Sequence, residues 1–293
     1  MSVDLATVRC VSPTRDILGE GPKWSSRERA LYWLDITGKI LHRLDQAGSL
    51  RSTELKYGAA SFAFVNDGRL LMMFMRGPAL WSPDSGEIER LDLPGISPTE
   101  RFNDSRCDSR GRLWTGTFDS GLKAPLGHLY SIDGDRRVVQ QDAGIMMSNG
   151  IAFSPDEHTL YYCDSWPGRI YAYDFDVQAG TVTNRRALID FAQSGGRPDG
   201  CVADAEGCLW VAEVDNWRIV RYRADGTFDR AIMLPVQKPT SVTFGGPDLT
   251  TLFITSRRSG LSEAELVDQP EAGGLFAVEV PVGGSPEYDY VLR

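Results

Sequence analysis

One short pattern recurs six times along the chain: a polar or Gly-containing turn followed by a Leu-aromatic or Leu-Leu step. It falls at Leu31-Tyr32, Leu70-Leu71, Leu113-Trp114, Leu160-Tyr161, Leu209-Trp210 and Leu252-Phe253, with spacings of 39, 43, 47, 49 and 43 residues. The surroundings are strand-like. Apolar and polar residues alternate with period two at 30–35, 169–174 and 217–222, and these runs are rich in aromatic and β-branched types. Helical patterning is scarce: only 262–268 reads as a helical turn, with Ser262 as its cap ahead of Glu263 and Glu265. A sheet unit of about 40–50 residues cannot bury its faces alone, and copies packed around an axis can. The repeat therefore predicts an all-β chain, a six-bladed β-propeller with about four antiparallel strands per blade, forming one domain over residues 1–293.

Composition narrows the partners. The 293 residues include 31 Lys plus Arg and 40 Asp plus Glu, a net charge of −9, which argues against nucleic acid or an anionic membrane surface as a partner. No apolar run approaches the roughly 20 residues of a membrane-spanning helix; the longest, 70–75, is flanked by Arg69 and Arg76. Residues 1–15 hold no apolar signal core, so a cytoplasmic location is expected. Cys10, Cys107, Cys163, Cys201 and Cys208 are odd in number and scattered, which reads as reduced thiols. His42, His128 and His158 share no metal-binding spacing, and no GxSxG or Walker pattern occurs.

The repeat also supplies a register. Ten to twelve residues before the Leu step, five of the six units carry a polar residue that opens an inner strand: Glu20, Asn103, Asn149, Asp199 and Thr240, whereas the second unit offers only Ala60 or Ser61. In a propeller these positions form a ring, so Glu20, Asn103, Asn149 and Asp199 are expected to converge at one mouth of the central channel. The second strands return toward the same mouth, and their ends (Asp35, Phe74, Asp119, Asp164, Glu213 or Asp215, and Ser256) are expected to form an outer tier. Trp33, Trp114 and Trp210 read as blade core at one repeat position, and Trp166 and Trp217 as residues flanking the mouth or sealing a blade interface.

Two carboxylates and an amide oxygen, from Glu20, Asp199 and Asn149, crowd unfavourably unless one protonates or a cation lies between them. An oxygen set without His or Cys suits a hard or borderline divalent ion such as Ca²⁺, Mg²⁺ or Mn²⁺, and three protein ligands leave positions open for water or substrate. Asn149-Gly150 and Asp199-Gly200 are individually ordinary turn dipeptides; their coincidence in register is what singles them out.

The stretches 18–24 (LGEGPKW), 101–104 (RFND), 111–118 (GRLWTGTF), 148–156 (SNGIAFSPD) and 198–200 (PDG), together with the tail from Gly245 through Ala277, resemble the gluconolactonase/regucalcin (senescence-marker-protein) family over essentially the whole chain. That resemblance implies a six-bladed propeller that binds one divalent metal in its channel and hydrolyses sugar lactones. It implies metal ligands at Glu20, Asn149 and Asp199, substrate contacts at Arg101, Asn103 and Asp119, and Asp199 as the base or water-orienting group, with the metal polarising the lactone carbonyl. Some members carry a longer acid where Asp119 stands. The implied ion is one of Ca, Zn, Mn, Mg or Fe(II). The implied partner is a small-molecule sugar lactone, aldonic or derived from a uronic acid, acted on by a monomer or small homo-oligomer. The competing readings are a non-catalytic calcium- or metal-binding regulatory propeller, an interaction scaffold, and a propeller esterase using a channel His. The carboxylate trio disfavours the scaffold, and no His occupies a ring slot, which disfavours the esterase. For Arg101 the plain alternative is a surface ion pair with Glu100 or Asp104.

Overall fold

The computed structural model describes residues 3–4, 7–97 and 99–293. Six antiparallel sheets follow one another around an axis, each opening with its innermost strand: Gly19–Ser25, Ala59–Phe64, Glu100–Cys107, Ser148–Phe153, Arg197–Ala203 and Pro239–Gly245. Each inner strand packs against the inner strands of the blades before and after it, so the six enclose the channel. The sixth blade joins the two halves of the chain: Arg9–Ser12 pairs antiparallel with Leu275–Glu279. Val3–Asp4 adds in parallel to the outer strand Phe228–Met233 of the fifth blade. The six-bladed propeller expected from the repeat is the fold observed. Glu263–Asp268 is the one helix among the described residues, capped by Ser262 with Glu265 reaching back to the Ser262 N–H. It is too short and too polar to cross a membrane.

Alternation decides which side chains fill the seams between blades. Ala212, Ile219 and Ile232 of the fifth blade meet Val242, Ile254 and Phe276 of the sixth in one buried cluster. Trp114 and Trp210 lie at equivalent positions, each fully buried and each donating its indole N–H to an aspartate six residues earlier, Asp108 at 2.9 Å and Asp204 at 2.8 Å. A buried indole N–H needs such an acceptor. Trp33 departs from the expected equivalence. Tyr32 holds the repeat position, and Trp33, one residue on, packs on the other face against His42 and donates to Asp16. All five cysteines are free thiols.

Every inner strand carries an irregularity at the same place. Its pairing with the second strand gains one residue between Glu20 and Lys23, Ala59 and Ser61, Phe102 and Ser105, Ser148 and Ile151, Pro198 and Cys201, and Pro239 and Ser241. A β-bulge bends its strand and re-aims the side chains at the extra residue. The ring positions read from the sequence coincide with these bulges. Gly150 and Gly200 are required by close approach, not by turn geometry: a Cβ on Gly150 would lie 2.6 Å from the Asp199 carbonyl, and one on Gly200 would lie 1.9 Å from Ser241 Oγ.

The other end of the channel is covered by the C-terminal segment. Gly284 bridges to Asp204, Tyr290 pairs beside Val65, and the Val291 and Arg293 N–H groups donate to Gly111 and Gly134. Beneath it the buried Lys23 ammonium donates to the Ser105 carbonyl at 2.8 Å and pairs with Glu287 at 3.1 Å.

Candidate functional site

Pairing with the second strands puts Glu20, Asn103, Asn149 and Asp199 in equivalent places, with Ala60 and Thr240 completing the ring. Thr240 is turned to the seam, bonding the Gly19 carbonyl and Thr255. Burial pushes the Glu20 carboxyl well above its ordinary range, and the neighbouring Asp199 and Asp104 charges add to that. Burial likewise lifts Asp199 to about 7, against the opposing pull of Arg257. Asp199 is 7% exposed, and its Oδ1 is shielded with no hydrogen-bond partner. A buried carboxylate oxygen left without a partner is costly.

Asn149 is held in one orientation. Its Nδ2 donates to Ser165 Oγ at 2.8 Å, and Ser165 donates to the Pro198 carbonyl at 2.6 Å. Its Oδ1 accepts from Asn103 Nδ2 at 2.9 Å. Asn103 spends its other amide hydrogen on the Ser148 carbonyl at 2.6 Å, so toward a ligand it offers only its oxygen. Upstream, Asp164 accepts the Met146 and Met147 N–H groups at 3.1 and 2.8 Å, which fixes the approach to Asn149. Asp35 does the same for Ile17 and Leu18 ahead of Glu20. The outer tier expected at the second-strand ends is therefore in large part a set of backbone clamps. Glu213 is fully buried with Arg218 and Asn216, and Ser256 bonds the Gly274 carbonyl. Asp119 is the exception among these acids: half-exposed, it accepts one N–H, from Lys123 at 3.2 Å.

Among the described residues no three His, Cys, Asp or Glu side chains are arranged to hold an ion. A cation here would rest on two carboxylates and the Asn149 amide oxygen. The donor set fits one. Burial forces both acids toward protonation, Asp199 and Asp104 adding to the load on Glu20 and Asp104 and Asp215 to that on Asp199, and Asp199 Oδ1 faces no donor.

Two residues were not singled out from the sequence. Asp104 follows the ring position; its equivalents in the other blades are Gly21, Ser61, Gly150, Gly200 and Ser241, so it is the one charged residue in a row of Gly and Ser. That contrast is a legible signal. Burial raises its carboxyl, with Lys23 and Arg106 pulling the other way. Arg257 follows the second strand Thr251–Ser256 of the sixth blade, and no repeat position points to it. It lines a cavity of about 140 Å³ together with Asn149, Ser165, Trp166, Arg197 and Asp199. Trp166, 47% exposed, thus flanks the mouth.

Arg101 and Asp119 stand on the adjoining first and second strands of the third blade. Arg101 is exposed and, among the described residues, forms no ion pair; Glu100 bonds Thr117, His128 and Tyr130 instead. Arg101 borders a separate cleft of about 410 Å³ with Phe74 and Arg76, so it is not drawn into the cavity that holds Asn149 and Asp199. His42 and His128 are spent on Asp16 and Glu100, and none of the three histidines is in the ring.

A six-bladed propeller with an oxygen-donor cluster at one mouth of its channel defines the class. The chain belongs to the SMP-30/gluconolactonase/LRE-like family, whose pattern matches residues 18–258. It is 40% identical to a 6-deoxy-6-sulfogluconolactonase of Pseudomonas putida over 96% of this chain and 97% of that protein. It is 33% identical to a pentonolactonase of Haloferax volcanii, covering 98% and 99% of the two chains. Among solved structures, a calcium-binding protein, regucalcin, from Agrobacterium tumefaciens superposes with a TM-score of 0.91 at 29% identity, covering 97% of each chain.

Proposed function

We propose that this chain hydrolyses sugar lactones to the free sugar acids at the channel mouth, with Glu20, Asn149 and Asp199 holding a divalent cation. The observation that carries this reading is the unpartnered, buried Asp199 Oδ1 among crowded carboxylates. The lactonase names of two relatives, aligned over nearly the full length, supply the substrate class. A divalent cation bound there supplies Lewis-acid polarisation of an ester carbonyl.

The chain's own residues then do the rest. Asp199 orients the attacking water or takes its proton; a cation on its carboxylate lowers its basicity, which weights the role toward orientation. Water adds to the carbonyl carbon, the ring C–O bond breaks, and the departing ring oxygen takes up a proton to become the hydroxyl of the acid. Asn103 Oδ1 accepts from a sugar hydroxyl, and Asn103 Nδ2 keeps the Asn149 oxygen in place. Arg101 and Asp119, both short of partners, serve as substrate contacts at the rim of the third blade.

A second reading, a non-catalytic calcium-binding propeller, is favoured by the regucalcin structure's description as a calcium-binding protein. A pH-indicator assay on a panel of lactones and divalent ions, with chelation and add-back, separates the two. Acid release that chelation erases and one ion restores supports hydrolysis. Release at the spontaneous rate with every ion, alongside calorimetric calcium binding, supports the second.

A further inference from the structure

The cavity that contains Asn149 and Asp199 is also lined by two arginines, Arg197 and Arg257. Arg257 Nε is shielded from solvent and has no hydrogen-bond partner, and the side chain forms no ion pair among the described residues. Arg257 itself is only partly buried, so its guanidinium keeps a shielded N–H with no acceptor beside a face open to the cavity, and is ready to take one. Arg197 is pre-positioned: its Nη2 bonds Asp215 Oδ2 at 2.6 Å, and its guanidinium lies 4.9 Å from the centre of the Trp166 ring. Asp215 is shared with the Lys238 ammonium, so these three side chains retain a net positive charge. The carboxylates facing this corner are Asp199 and Glu20, which Arg257 partly offsets. The cations stand on the fifth and sixth blades, away from Arg101 and Asp119 on the third.

We propose that Arg197 and Arg257 form an anion-binding subsite beside the carboxylate cluster, so that the lactones this chain prefers carry an anionic substituent, a carboxylate or sulfonate, at the end of the sugar remote from the ester. A guanidinium fork matches either group bidentately, and Trp166 gives the carbon skeleton between ester and anion an apolar face. This rests on the lactone-hydrolase reading for its substrate, but not for its binding chemistry.

The test compares gluconolactone, which is neutral, with glucarolactone and a sulfonate-bearing gluconolactone, using the full chain and the divalent ion that gives the highest rate. Charge-assisted pairing with two guanidinium groups is expected to raise kcat/KM for the anionic lactones by about tenfold to a hundredfold, carried by KM. Added salt raises KM for those substrates alone. Arg197→Gln and Arg257→Gln each pull the anionic-to-neutral ratio toward one. Where either Gln variant melts early by circular dichroism, Arg→Lys at the same position keeps the charge without the fork and is read in its place. A wild-type ratio of one or below, with gluconolactone turned over normally, overturns the subsite and leaves the hydrolase reading standing. If no lactone is hydrolysed with any ion, the hydrolase reading falls, and calorimetry decides the subsite separately. Glucarate binding at least about tenfold tighter than gluconate, and losing that margin in Arg257→Gln, upholds it; equal affinities overturn it.

Discussion

The two ends of the channel hold buried charge in opposite ways. At the covered end, Lys23 and Glu287 neutralise each other, with Arg106 3.7 Å from the same carboxylate. Burial alone would raise Glu287, but the two cations outweigh it and hold the carboxyl below its ordinary range. At the open end Glu20 and Asp199 are pushed up by burial and by neighbouring carboxylates, which Arg257, and for Asp199 also Arg197, offset only in part. The first cluster is complete as it stands and acts as a structural clasp; the second is left short of positive charge, which the proposed cation would supply. Asp104 sits between them, feeling Lys23 and Arg106 on one side and adding to the load on Glu20 and Asp199 on the other.

The largest effect expected is at the open end. Asp199→Ala should lower kcat by at least about a hundredfold and abolish cation binding by calorimetry, with the fold retained; turnover near wild type would remove Asp199 from the mechanism. At the covered end the loss should appear in stability instead. Glu287→Ala strands a buried ammonium and should cost about 3–5 kcal/mol in denaturant unfolding, leaving cation affinity close to wild type. If both variants lost affinity alike, the two clusters would be one unit.

The pH response should separate the ends further. Between about pH 4 and 7 the cation-free native state holds protons on Asp199 and Glu20 that the unfolded chain has released, so its stability falls as pH rises through that window. A saturating divalent ion should flatten that slope, and the gain in Tm from the ion should be larger at neutral than at acidic pH. Glu287 acts in the other direction: its contribution is complete above its unfolded value of about 4.3 and is lost as pH falls below it. Identical Tm profiles with and without the ion would contradict the cation at the open mouth. The smallest effect is expected at the rim, where Arg101→Ala should raise KM severalfold (about 1 kcal/mol) with kcat little changed, and an unaltered specificity profile would argue against Arg101 as a substrate contact.

The sequence by itself determined the blades and the ring. Six Leu steps at near-constant spacing specify six copies of one unit, and counting back from each reaches Glu20, Asn103, Asn149 and Asp199 because local strand pairing preserves register. Asp104 was within the same reach, as the odd charge in a row of Gly and Ser. The tertiary structure alone decided what each charge faces. Asp35 and Asp164 bind the backbone of the loop ahead of the inner strand while Asp119 accepts from Lys123 in the loop that follows its own strand, since that depends on the path of the preceding loop. The Lys23–Glu287 clasp joins residues 264 apart, and Arg257 meets Asp199 only across a blade seam. Such pairings break the repeat, so no period encodes them. They follow from closing the ring and laying the C-terminal segment across one end, which sets the local dielectric and the balance of charge along the axis.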